Sequence, residues 1–223
     1  MIRVYVVVEG PTEEKFLKLL VSPQVEKKKV QLFPRILGRP RHKGGNVNLP
    51  RVIDSVYRTM MEDQSAYCTT MFDYYGLDPE FPGRKAPLHS STEQKALEVE
   101  KGLREAIVGK IGDKHRPDRF IPYVQMHEFE GLLFSDPAAL ADNLERSGLE
   151  RSLMKIRESF ATPEDIDDDS INAPSKRIIA LFAEYENNKV SFGPLAAGKM
   201  GLTVIMDHCP HFRQWVKTLE ALG

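Results

Sequence analysis

Cysteine is scarce: Cys68 and Cys209 are the two present in 223 residues, so nothing suggests a disulfide framework or a zinc cluster. Cys68 stands inside an apolar run and is expected to be a buried thiol. No apolar stretch approaches the roughly 20 residues that span a bilayer. The opening Met1-Ile2-Arg3-Val4 runs straight into a strand-like segment, without the basic-then-apolar layout of a secretion signal, so a cytoplasmic location is the expectation. Net charge is nearly absent, at −1 from 31 basic and 32 acidic residues, and the basic excess usual in nucleic-acid binders is missing. A glycine-rich phosphate loop of the Walker type is also missing, which disfavours a small-molecule phosphotransfer enzyme. There is no internal repeat and no low-complexity tract.

What is present is ordinary globular material, 41% hydrophobic and 28% charged, with enough chain to bury a substantial core. Charge is unevenly placed, because residues 35–43 carry only basic groups while residues 164–169 are strongly acidic. A local basic patch can guide a polyanion even on a neutral protein.

Ile2–Val8 is a continuous β-branched and aromatic run, the pattern of a strand buried on both faces. A helix follows on Phe16, Leu17, Leu19 and Leu20, with Thr12 as its expected N-cap and Pro23 near its end. Residues 30–37 read as a second strand, at an edge or bulge because of Pro34, and 38–50 as a loop. A helix over 47–62 rests on Val52, Ile53, Val56 and Met60, and a third strand over 67–72 ends at Asp73. Thr92–Ile111 is a long helix on Leu97, Leu103, Ile107 and Ile111, capped by Ser91 or Thr92. A fourth strand over 119–126 tolerates Pro122 only at an edge or bulge. This alternation predicts an α/β fold with a mostly parallel sheet of about four strands flanked by helices. From residue 127 helical patterns dominate, over 128–134, 137–145, 149–160, 174–185, 194–206 and 210–222. The expected organisation is therefore a core over 1–126 and a helical cap over 127–223 packed on it as one unit, with Phe212 and Trp215 anchoring the last helix.

In an open α/β sheet ligands bind beyond the carboxyl ends of the strands. Glu9 follows the first strand, Asp73 ends the third, and His127-Glu128-Phe129-Glu130 follows the fourth. Glu13 lies four residues after Glu9, so it can face the same spot. Converging carboxylates repel unless a cation joins them, and oxygen-only ligands favour Mg²⁺ or Mn²⁺. The plain alternative is that Glu9 and Glu13 are first-turn residues favoured by the helix dipole. Glu128 is either a ligand or a cap, and His127 is a ligand, a base or a satisfied core histidine. A zinc-protease reading fails because Gly131 stands where the second histidine is needed.

Val8-Glu9-Gly10-Pro11-Thr12-Glu13 resembles the opening motif of TOPRIM domains, particularly the nucleases of the overcoming-lysogenization-defect group. More closely, the chain resembles a bacterial family catalogued as domain of unknown function 4276. That resemblance spans the same opening motif, Phe72-Asp73-Tyr74-Tyr75-Gly76, Gln125-Met126-His127-Glu128-Phe129-Glu130, Pro174-Ser175-Lys176-Arg177, and Cys209-Pro210-His211-Phe212 with Trp215. The resemblance to TOPRIM nucleases, carried by the opening motif and Phe72-Asp73-Tyr74-Tyr75-Gly76, implies a TOPRIM-like fold and Mg²⁺- or Mn²⁺-dependent hydrolysis of nucleic-acid phosphodiesters, with Glu9 and Asp73 on the metal and Glu13 completing the site. The closer resemblance also implies an ABC- or SMC-like ATPase as partner in a two-component defence system. TOPRIM domains carry Asp-x-Asp after the third strand, whereas here Asp73 is followed by Tyr74 and Tyr75. Asp78, Glu128 or Glu130 is the candidate replacement; if none serves, the scaffold binds without catalysing.

Candidate phosphate contacts are Arg35, Arg39, Arg41 and Lys43 in the glycine-rich stretch, with Lys176 and Arg177 later. A solvated charge run is the ordinary alternative. Lys199, beside Gly198 and Gly201, is the lysine expected to reach a phosphate during catalysis, or else a helical surface residue.

Overall fold

Valine fills both faces of strand β1 (Ile2–Val8), and each face meets its own layer of helices. In the computed structural model, which describes residues 1–39, 42–43, 47–85, 90–112, 115–166 and 172–223, β1 lies between β2 (Val30–Ile36) and β5 (Tyr67–Asp73). Beyond β5 run two short pieces, β6 (Phe120–Ile121) and β7 (Val124–Gln125), and all these pairings are parallel. A two-residue ladder joins β3 (Gly38–Arg39) to β4 (His42–Lys43), inside the stretch expected to be a plain loop. The expected α/β architecture with a parallel sheet of four to five strands is therefore present.

Both prolines expected at an edge are there. Pro34 sits in β2, on one border of the sheet. Pro122 splits the fourth strand into β6 and β7, and the Thr70 hydroxyl satisfies the break. It accepts from Tyr123 N at 3.0 Å and donates to Tyr123 O at 2.8 Å, so no buried backbone group is left open there.

One face of the sheet, with Val7, Cys68 and Phe72, packs against α3 (Leu49–Glu62) and α4 (Thr92–Ile111). Ser91 caps α4 as expected, accepting from Gln94 N while Gln94 Oε1 accepts from Ser91 N. The stripe on α4 is the expected one at Leu103, Ile107 and Ile111 and differs at its start. Ala96, Val99, Leu103, Ile107 and Ile111 face the core, whereas Leu97 is 53% exposed. The spacing 96–99–103–107–111 closes on one helical face, and Leu97 falls beside it.

The other face, with Val4, Val6, Val8 and Met71, packs against the first helix and the C-terminal helices. The first helix starts at Pro11, not after Thr12: α1 (Pro11–Phe16) has Gly10 as its N-cap. It also runs past Pro23, through a π-turn over Leu17–Val21 into α2 (Ser22–Glu26). The wider turn, in which Ser22 N reaches Leu17 O, shifts the hydrogen-bond ladder ahead of the proline that lacks a donor.

The C-terminal part comprises α5 (Pro137–Asn143), α6 (Glu150–Glu158), α7 (Pro174–Leu181), α8 (Tyr185–Met200), α9 (Leu202–His208) and α10 (Pro210–Glu220). Residues Phe129–Ser135 form a 3₁₀ helix. Pro194 was expected to open a helix but lies inside α8. Helix α10 rests directly on the sheet, where Trp215 Nε1 donates to Thr69 Oγ1 at 2.9 Å and the indole stacks on Tyr123 at 4.4 Å. Phe212, Trp215, Cys68 and Cys209 are buried, and both thiols are free.

Candidate functional site

The carboxyl ends of β1, β5 and β7 bring together Glu9, Glu13, Asp73, Glu128 and Glu130, close enough for their charges to act on one another. Three of these acids sit at helix starts. Glu13 Oε2 accepts from Gly10 N at 2.9 Å, Asp73 Oδ1 from Phe129 N at 2.9 Å, and Glu128 Oε2 from Ser175 N at 2.8 Å. The amides that open a helix have no partner within it and carry its positive pole, so each holds one negative oxygen in place. Glu13 is thus the cap that its position allowed, and a neighbour of Glu9 as well.

Glu9 is located by packing. A Cβ added at Gly76 would stand 2.6 Å from Glu9 Oε2, so the backbone of the turn after β5 lies directly against this carboxylate.

Burial, joined at Glu13, Asp73 and Glu130 by repulsion from neighbouring acids, raises the proton affinity of Glu9, Glu13, Asp73 and Glu130. Burial lifts Glu9, and burial followed by the Glu9 charge lifts Glu13 against the pull of its own amide and that of Gly10. Asp73 is half-buried as a residue, but its carboxyl lies deep in the protein. Burial first, then Glu13, Glu130, Glu9 and Glu128, hold it well above the usual carboxylate range. Glu130 is buried, and that burial pushes it up to about 7 while Lys189 pulls it back. Its Oε1 accepts from the Tyr185 hydroxyl at 3.4 Å and stands 3.7 Å from Lys189 Nζ.

Of the three candidates for the missing second aspartate, Glu128 and Glu130 join Asp73. Asp78 turns back on its own loop, where its Oδ1 accepts from Glu80 N at 2.9 Å. His127 is buried in the wall beside them, its ring 5.4 Å from that of Tyr75 and 6.2 Å from that of Tyr74. Its φ of 58° is unusual for a side chain of this size, and its carbonyl accepts from Tyr75 N at 3.1 Å.

The basic candidates divide. Lys176 and Arg177 stand in the first turn of α7, next to the amide that holds Glu128. Lys176 is exposed and 3.9 Å from Glu186, while Arg177 donates to Asn172 O and covers the ring of Phe160. Arg35 lies over Tyr5 and pairs with Glu62 at 2.5 Å. Arg41 and the side chains of Arg39 and Lys43 lie outside the described residues. Lys199 is elsewhere: it pairs with Asp142 at 2.5 Å, about 15 Å along α8 from Lys189. Sequence reasoning missed Lys189 and Tyr185. The signal was the spacing Tyr185–Lys189–Gly193, one face of α8, which the expected helix start at Pro194 concealed. Gly193 on that face packs on Phe129, 2.8 Å from where its Cβ would be.

Among the described residues, no three His, Cys, Asp or Glu side chains are placed to hold a metal ion as they stand. The donor set itself, carboxylate oxygens alone, suits a hard divalent cation. No helix among the described residues is long and apolar enough to cross a membrane.

No curated protein and no solved structure matches the chain. A family model described as a domain of unknown function (DUF4276) matches residues 8–220, and the chain belongs to that family.

Proposed function

We propose that the protein is a Mg²⁺- or Mn²⁺-dependent hydrolase of nucleic-acid phosphodiester bonds, of the TOPRIM-like kind that its opening motif resembles. The observation that carries this reading is the gathering of Glu9, Glu13, Asp73, Glu128 and Glu130 at the carboxyl ends of parallel strands, with the proton affinity of Glu9, Glu13, Asp73 and Glu130 raised. Glu9 and Asp73, with Glu128 or Glu130 in the role of the absent second aspartate, are the groups that hold the ion. When bound, such an ion activates water and stabilises the leaving oxygen. Glu13, fixed by the Gly10 amide, keeps negative charge beside Glu9. Lys176 and Arg177 on the rim, together with Arg35 and the Arg39–Arg41–Lys43 segment, position the phosphate backbone.

The test is cleavage of single- and double-stranded DNA and RNA with Mn²⁺. Glu9→Gln and Asp73→Asn should abolish cleavage while circular dichroism and melting stay near wild type. A second reading has its own support, since each helix-capping acid is satisfied by an amide and no ready-made metal group is present among the described residues. In it the protein is a noncatalytic component that binds nucleic acid or an ABC- or SMC-like ATPase. Wild-type protein inert on every nucleic acid, with and without such an ATPase, selects that reading.

A further inference from the structure

We propose that Lys189 is an internal counter-ion of the acidic cluster, its ammonium standing at Glu130 where a divalent cation will compete with it. The inference rests on the reading of this cluster as a cation site and adds its regulation. Glu130 is embedded among Tyr185, Phe129 and the other acids, with its side chain 7% accessible. A buried carboxylate surrounded by like charges requires compensation. Lys189 supplies it from one turn beyond Tyr185 on α8.

Two features make this a displaceable charge. The separation of 3.7 Å is beyond a good N–H···O bond, so the ammonium balances charge without being locked to the oxygen. The Lys189 side chain is also 33% accessible, so the flexible stem has a route to water. The helix itself cannot easily follow, because Gly193 is packed on Phe129 and Tyr185 is fully buried. Loading the cluster with a divalent ion therefore moves the lysine head, not α8. The released ammonium then stands beside the cluster, where an incoming phosphate offers it a new partner.

The experiment is calorimetric titration of the full chain with Mn²⁺, without nucleic acid, for wild type, Lys189→Met, Lys189→Arg, Asp73→Asn and Lys18→Met. Lys18 is exposed on the first helix, paired with Glu14, and controls for loss of one charge anywhere. Lys189→Met is expected to bind Mn²⁺ about ten-fold more tightly than wild type, as removal of a nearby positive charge demands. Lys189→Arg and Lys18→Met should stay within about two-fold of wild type. The Mn²⁺-induced rise in melting temperature should be larger for Lys189→Met than for wild type. Lys189→Gln serves in its place if the methionine variant does not fold. Mn²⁺ binding that is lost in Asp73→Asn but unchanged or weaker in Lys189→Met overturns the counter-ion and leaves the cation site standing. Absence of Mn²⁺ binding in both wild type and Lys189→Met overturns the cation site, and the counter-ion with it.

Discussion

Lys15 Nζ donates to the carbonyl oxygen of Val190 at 3.3 Å, the acceptor that Pro194 leaves open because proline has no N–H to offer one turn later in α8. A proline inside a helix ordinarily costs about 3 kcal/mol. Here part of that cost is offset by a lysine from α1, the helix that also carries Glu13. The contact ties the two helices that flank the acidic cluster, so the placement of Lys189 and Tyr185 depends on the first helix. Lys15→Met is expected to lower unfolding stability by about 0.5–1 kcal/mol, the range of an exposed hydrogen bond. In a Pro194→Ala background the same change should cost less, because an alanine at that position restores the internal donor. Denaturant titrations of the four proteins close the cycle, and additive effects would show that the two groups are independent.

Gly76→Ala tests the packing that locates Glu9. The new methyl group would stand 2.6 Å from Glu9 Oε2, so the carboxylate must move. Mn²⁺ binding and any cleavage should fall at least ten-fold, while the melting temperature changes by only a few degrees. Gly109 in α4 has open space around it, and Gly109→Ala should instead stabilise by about 0.5–1 kcal/mol. Unchanged Mn²⁺ affinity in Gly76→Ala would show that Glu9 is not held by this turn.

A pH dependence is expected from the partly buried pair of His211 and Glu100, whose Nε2 and Oε1 are 2.9 Å apart. Burial lowers the proton affinity of His211, but the Glu100 hydrogen bond, the Glu100 charge and Glu164 outweigh it, and the net shift is upward from 6.5. A histidine raised on folding contributes stability that is complete below its unfolded value and lost as pH rises through the folded one. Wild type should therefore lose stability relative to His211→Gln as pH rises above the ordinary histidine value of about 6.5 and through the higher folded one. The difference between the two melting curves isolates this pair from the raised acids elsewhere. A difference that does not vary with pH would mean that folding leaves the proton affinity of His211 unchanged.

Phosphate contacts release counterions, so oligonucleotide affinity should fall with salt in proportion to their number. Lys176→Ala and Arg35→Ala should each lower the slope of log affinity against log salt by about one, without altering base preference. Both side chains are at least one-third accessible, and their ion partners Glu186 and Glu62 are accessible too, so exchange for a phosphate is physically open. Slopes equal to wild type would assign both residues to ordinary solvated surface.

Local chemistry carried much of this molecule. The valine run of β1, the Ser91–Gln94 capping box, the edge positions of Pro34 and Pro122, and the acids at the strand ends follow from patterns within a few residues of one another. Such patterns are legible in sequence because strand periodicity, capping and proline geometry act over short stretches of chain. Long-range packing settled the remainder. Glu128 meets the Ser175 amide 47 residues later, and Glu130 meets Tyr185 after 55. Pro23 and Pro194 stay inside helices because a π-turn and Lys15 supply what each proline removes. Ala96 rather than Leu97 faces the core because the sheet accepts one face of α4 and no other. Each of these outcomes depends on a partner that becomes a neighbour only when the chain is folded, and its free energy belongs to the contact rather than to either segment.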